Sequence, residues 1–138
     1  MLELVTIEEA RHQLRIDDYD SSGGPDDPWL NAFIPAISEA IAEWVKVRAR
    51  LYVVALDSNG DPEIDSSGDP APALDSSGEP TVKPLVKAAV LIELERQYRS
   101  RGGEDETFTE QFDNVGYGYV LGRGSTALLY SLRKPTLQ

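Results

Sequence analysis

PWLNAFIPAISEAIAEWVKVR, residues 28–48, is the stretch whose reading decides the fold. Leu30, Phe33, Ile34, Ile37, Ile41, Trp44 and Val45 recur at the three-to-four spacing of one helix face, while Asn31, Ser38, Glu39, Glu43 and Lys46 fall elsewhere. The pattern predicts a long amphipathic helix, capped by Asp27, with Pro28 at the first helical position, where its missing N–H costs nothing. Pro35 removes an interior hydrogen bond and predicts a kink or a late start. A helix of this length holds its shape only through its apolar face, so partners must come from the rest of the chain.

The chain has 138 residues, enough for one domain with a modest core. It has no cysteine, which excludes disulfides and thiolate zinc sites. No apolar run is long enough to span a bilayer, and the opening MLELVTIEEARHQ is too acidic for a signal peptide, so a reducing, cytoplasm-like setting is expected. Thirteen bases against twenty-four acids give a formal charge of −11. Such a surface argues against tight nucleic-acid binding, which rests on lysine and arginine, and suits one that DNA slides past.

On the N-terminal side, Thr6-Ile7-Glu8-Glu9 has the form of a capping box, in which Thr6 takes the N–H of Glu9 and Glu9 reaches back. A short helix to about Ile16 follows, with Val5, Ile7, Ala10 and Leu14 inward, and then an acidic loop over residues 17–27. On the C-terminal side the composition changes abruptly. LYVVAL, residues 51–56, is β-branched and aromatic and predicts a strand. Three copies of one unit come next: Asp57-Ser-Asn-Gly-Asp-Pro62, Asp65-Ser-Ser-Gly-Asp-Pro70 and Asp75-Ser-Ser-Gly-Glu-Pro80, with a looser relative at Asp20-Ser-Ser-Gly-Gly-Pro25. Asp57, Asp61, Glu63, Asp65, Asp69, Asp75 and Glu79 are unrelieved by any base between Leu51 and Val82. Turn formers and repeated prolines exclude a long helix and predict a projecting hairpin or pair of β-arms that turns near Ser58 to Gly60. An EF-hand does not fit, because glycine stands fourth and proline sixth where a calcium loop needs glycine sixth and a distant glutamate.

VKPLVKAAVLIELERQYRS, residues 82–100, predicts a second long helix with Pro84 in its first turn and Leu85, Ala88, Ala89, Leu91, Ile92, Glu95 and Tyr98 on one broad face. After Gly102-Gly103 an acidic stretch runs to Asn114, and residues 115–124 alternate glycine with larger residues. Ser125 is the expected cap of a short last helix, STALLYSLR, with Leu128, Leu129 and Leu132 on one face. From Val115 onward Arg123, Arg133 and Lys134 meet no acid, so the tail is opposite in charge to the middle. The expected fold is mainly α: a small bundle of a short N-terminal helix, two long helices and a short C-terminal helix, with a projecting β-arm insertion and an extended tail. It forms one domain, 1–138, with a helical core over about 5–50 and 82–101, the insertion over about 51–81 and the C-terminal segment over about 115–138.

Motifs for chemistry are thin. His12 is the only histidine, Glu8 and Glu9 one turn before it form no HExxH pattern, and nucleophile–base triads lack material. Gly116-Tyr-Gly118 with Gly122 has the wrong spacing for a dinucleotide loop. The paired carboxylates sit in acidic loops with no apolar pocket to raise a pKa. We expect no enzyme, no cofactor and no metal; a calcium- or partner-binding module built on the acidic repeats is the alternative.

The order of elements carries a resemblance: LVTIEEARHQLRID, an acidic loop, FIPAISEAIAEWV, an insertion, KPLVKAAVLIELERQYRSR and finally TALLYSLRKPTLQ. The chain resembles, over nearly its whole length, the head-to-tail connector (adaptor) proteins of long-tailed double-stranded DNA bacteriophages. The resemblance implies a virion protein, assembled in the bacterial host cytoplasm, that forms a twelve-membered ring between the capsid portal and a stopper or tail-completion protein. Such a ring extends the channel for DNA without binding it specifically. The resemblance also implies that the C-terminal segment docks on the portal, here Leu128, Leu129, Leu132, Arg133, Lys134, Pro135 and Leu137. The seven insertion acids are expected to face the channel or a neighbouring subunit, and Trp29 and Pro35 to pack between subunits. The repeated insertion is longer than the family pattern leads one to expect.

Overall fold

The computed structural model describes residues 2–100 and 121–133. Over these residues the protein is mainly helical, with α1 at Ile7–Leu14, α2 at Asp27–Val45, α3 at Pro84–Ser100 and α4 at Arg123–Leu129. Short 3-10 turns follow α2 at Arg48–Leu51 and α4 at Tyr130–Leu132.

Helix α1 starts where Thr6 Oγ1 accepts the Glu9 N–H at 3.1 Å. The reciprocal half of the expected box does not form. Glu9 Oε1 instead takes Lys87 Nζ on α3 at 2.8 Å, because a cation across the groove competes better for a carboxylate than a backbone amide does. The helix stops at Leu14, two residues before the expected end, with Arg15 in the left-handed region at φ 57°. Its inward face holds the predicted Ala10 but also Arg11, whose guanidinium reaches Asp27 Oδ1 at 2.6 Å.

That ion pair explains a second departure. Asp27 is the first residue of α2 and not its cap; its carboxylate is turned to Arg11 and to the Gly24 N–H at 3.1 Å, while Asp26 occupies the cap position with its carboxylate taking the Tyr98 hydroxyl at 3.4 Å and not the helix's own amides. Helix α2 runs unbroken through Pro35 with no late start, and it ends at Val45, three residues before the end of the predicted stretch, where Lys46 turns left-handed at φ 74°. Leu30, Ile34, Ile37, Ile41 and Val45 are buried as the spacing predicts. Ser38, which falls off the apolar stripe, is buried too, and its hydroxyl takes the Leu4 N–H at 3.0 Å, tying the N-terminal segment to the middle of α2.

Helix α3 presents Val86, Ala89, Val90, Glu93, Leu94, Gln97 and Ser100 to the interior. This face shares Ala89 with the predicted one and has Leu91 and Tyr98 packed at its edge, but it is turned away from the rest: Ile92 is exposed, and Glu95 pairs with Arg99 and takes a hydrogen bond from Gln13. The broad apolar surface of the sequence left two faces open, and the buried one was chosen by α4. The contacts Glu9–Lys87 and Gln13–Glu95 set α1 parallel to α3, Leu4–Ser38 with Arg11–Asp27 set α2 against α1, and Tyr98 meets Trp29 and Asp26 to join α3 to the start of α2. Helix α4 runs back along α3, with Gly122 beside Glu93 and Ser125 beside Ala89.

The predicted strand over 51–56 is absent as a strand. Leu51 closes a 3-10 turn and is fully buried, and Tyr52, Val54 and Leu56 make isolated bridges to Val82, Pro72 and Pro62. Proline on the partner side cannot donate to a ladder, which keeps the pairing from extending.

Candidate functional site

The insertion between α2 and α3 is built by one local rule used three times. In each unit the aspartate N–H donates across the turn to the acid four residues on: Asp57 to Asp61, Asp65 to Asp69 and Asp75 to Glu79, each at 2.8 Å. The glycine N–H returns to the aspartate carbonyl at 3.1 Å in all three. Gly60, Gly68 and Gly78 adopt φ of 83°, 86° and 82°, which only glycine enters freely, so each unit is a type I turn followed by a left-handed glycine. The aspartate side chain closes the turn from outside. Asp57 Oδ1 accepts from the N–H of Asn59 and Asp61, Asp65 Oδ1 from Ser67 and Asp69, and Asp75 Oδ1 from Ser77 and Glu79, at 2.8 to 3.1 Å. The Ser67 hydroxyl adds a 2.8 Å bond to Asp65 and, with the amides, holds that carboxyl below the usual range. The chain thus turns three times where a single turn near Ser58 to Gly60 or a pair of arms was expected.

The three turns are joined by two closed cycles of backbone hydrogen bonds. Ala55 donates to Ala71, Ala71 to Glu63 and Glu63 back to Ala55, at 2.8 to 2.9 Å. One layer lower, Val53 donates to Thr81, Thr81 to Ala73 and Ala73 back to Val53, at 2.7 to 2.8 Å. Every peptide in a cycle gives one bond and takes one, so six amides and six carbonyls are satisfied without any neighbour. A strand added from outside finds none of these groups free.

What the insertion offers outward is therefore side chains. Asp57, Asp61, Glu63, Asp65, Asp69, Asp75 and Glu79 are all exposed. So are Leu56, Ile64 and Leu74, at 60, 60 and 62% of their surface, each standing immediately before a turn aspartate and bridged to a unit proline. In the sequence Ile64 and Leu74 carry only weak strand signals. Their equivalence within the repeat was the available sign that they are one feature in three copies.

The other nominated residues are mostly spent inside the subunit. Trp29 stacks on Phe33 with centroids 4.5 Å apart and meets Tyr98 edge-on at 5.4 Å, and Pro35 is buried within α2. Leu129 is fully buried, Leu128 and Leu132 pack against the same core, and the Arg133 guanidinium lies 4.6 Å from the Trp44 ring centroid. Lys134, Pro135 and Leu137 lie outside the described residues. His12 is exposed. Among the described residues no group of three or more histidine, aspartate or glutamate side chains is placed to hold a metal ion, and no helix is long and apolar enough to cross a membrane.

One polar site escaped sequence reading. Glu93 is wholly buried on α3, with Oε1 on the Arg96 guanidinium and Oε2 taking the Gly122 N–H at 3.1 Å and the Ser125 hydroxyl at 2.9 Å. Ser125, expected as a cap, sits inside α4 and serves as the clasp to α3. Helix α4, too short to persist alone, is pinned there.

No family model, curated protein or solved structure matches the chain.

Proposed function

We propose that this protein is a structural virion subunit, a ring-forming head-to-tail connector seated between a capsid portal and a stopper or tail-completion protein. The order of elements quoted above supports the reading, and the observation that carries it is the insertion. A closed, rigid projection with seven carboxylates, no base and three repeated apolar knobs is a contact surface with no provision for catalysis. In a ring the acidic projections repel phosphate, so DNA passes without being held, and the knobs meet neighbouring protein. Its backbone is already paired, so the arm makes contact through side chains and not by adding a strand. The twelvefold number and the virion location come from the resemblance alone.

The test is assembly. Purified chain mixed with the portal of the same virus gives a complex whose mass and micrographs show one ring per portal; failure to join any portal or stopper at micromolar concentration sinks the reading. The calcium-module alternative has a separate check, a thermal melt with and without calcium, in which a shift favours it. The turn aspartates count against it, because Oδ1 of each is already committed to its own turn.

A further inference from the structure

The three turns of the insertion differ in their surroundings. Asp75, Ser77 and Glu79 of the third turn line one cleft with Leu2, Ile7 and Leu30 of the bundle. No residue of the first two turns lines that cleft. Leu56 and Ile64, each 60% exposed, stand clear of it, bridged to Pro62 and Pro70 across their own turns. Around them Asp57, Asp61, Glu63, Asp65 and Asp69 are exposed, and none of these acids enters an ion pair among the described residues. Apolar side chains inside a polar frame have the make-up of a protein contact, an apolar core within a polar rim. The frame here carries one sign of charge.

That sign selects the partner. DNA carries the same charge and is repelled. A second copy of this chain offers little to answer the carboxylates, because its cations are spent inside the subunit. Arg11, Arg48, Lys87, Arg96 and Arg99 are each paired with a carboxylate, Arg50 donates to the Leu132 carbonyl, and Arg133 lies over the Trp44 ring. Lys46 is engaged as well. Among the described bases Arg15, Lys83 and Arg123 enter none of these contacts, and they stand apart, at the end of α1, just ahead of α3 and at the start of α4. Insertion against insertion would bring acid to acid, which disfavours the contact. Strand addition is closed off too, since the two backbone cycles leave no edge to extend.

We infer that the first two turns of the insertion dock on a basic surface of a different protein, Leu56 and Ile64 on apolar residues there and Asp61 and Asp69 against its lysines or arginines. A second copy of this chain is not the receptor. The inference rests on the reading of the insertion as a contact surface and not on the ring. Asp61 and Asp69 are the residues to vary, because only their backbone N–H and carbonyl groups close the turns and their side chains are left to the partner.

The probes are a fluorescent amphipathic peptide of leucine and lysine and a matched peptide with serine for leucine, each titrated into the full chain. The first should saturate about tenfold tighter than the second. Leu56→Ser/Ile64→Ser should erase that difference. Asp61→Lys/Asp69→Lys should weaken both peptides about tenfold and flatten their dependence on salt. Equal binding of the two peptides to the native chain, or unchanged binding by either variant, overturns the inference. Both variants should melt like the native chain; where the lysine variant melts early, Asp61→Asn/Asp69→Asn is read in its place. Sedimentation of the chain alone tests the rejected receptor. Self-association that Asp61→Lys/Asp69→Lys abolishes makes a second copy the occupant and overturns the inference, whereas association equal in both chains, or absent from both, upholds it. The expected peptide pattern from a chain that joins no portal sinks the connector and keeps the inference, and a chain that joins its portal but does not tell the peptides apart does the reverse.

Discussion

The Glu93 carboxylate on α3 accepts the backbone N–H of Gly122 at 3.1 Å, and this bond fixes where the C-terminal helix lies. The same carboxylate holds Arg96 and Ser125, so three donors from two helices converge on one buried group. Glu93→Ala leaves them without it and costs roughly 3 kcal/mol, toward the low end for a broken buried pair because Arg96 keeps partial access to water. Gly122→Ala acts on the same clasp by a different route. Its backbone is unstrained, but a β-carbon would stand 2.8 Å from Arg96 Nε and push the pair apart. Both variants should lower the denaturation midpoint and speed amide exchange over residues 123–129 ahead of α2. Global loss without that local signature would show that Glu93 serves the core and not α4.

The glycines of the insertion make an opposite case. A β-carbon at Gly60, Gly68 or Gly78 meets nothing within 4 Å, yet each has positive φ. Replacing any one by alanine costs about 1 kcal/mol of backbone strain alone, and the turn, exposed and remote from the core, absorbs it. Amide exchange in the altered unit should quicken while the melting of the helices stays put. A shift in the main transition would mean that the two closed cycles couple the turns to the bundle.

Acid acts on the same turns. Ser67, then the Asp69 amide, hold the Asp65 carboxyl below its ordinary value, so its contribution is complete above the unfolded pKa of about 4 and is lost as pH falls through the lower folded value. Asp27 shifts the same way, chiefly through Arg11. The amide resonances of Ser67 and Asp69 should therefore move only below about pH 4, and Asp65→Asn should flatten that titration. A pH-independent turn, or an Asn variant that titrates as before, removes the carboxylate from the account.

How far the fold is legible follows from which forces are local. The three-to-four spacing from Leu30 to Val45 names the buried face of α2, because a helix repeats its environment every turn. Asp-x-x-Gly names each turn for an equally local reason, the φ that glycine alone reaches freely. The closed cycles are not legible: Ala55, Glu63 and Ala71 pair through space, and nothing in their side chains marks them. Glu93 reads as a solvated charge until Ser125 and Gly122 are brought to it, so the sequence does not show which face of α3 is buried. Asp27 reads as a cap in the sequence because its partner Arg11 lies on another helix.

Leu56, Ile64 and Leu74 give the proposed contact surface its sharpest test. Each is about three-fifths exposed in the subunit, so exchanging all three for serine removes little buried surface and should leave stability within about 0.5 kcal/mol per site. On the connector reading proposed above, the cost falls on the assembly. Three apolar side chains, each followed by a carboxylate already tied into its turn, form rigid knobs that lose little entropy on docking. The triple variant should melt like the native chain and fail to complete the joint between portal and stopper, as followed by sedimentation of the mixed components. Reversing Asp61, Asp69 and Glu79 to lysine should instead change the salt dependence of the same joint, since rim charges steer encounter more than they hold a complex. A serine variant that assembles with native yield and rate would show that the knobs contact nothing, and that the repeat owes its form to turn chemistry alone.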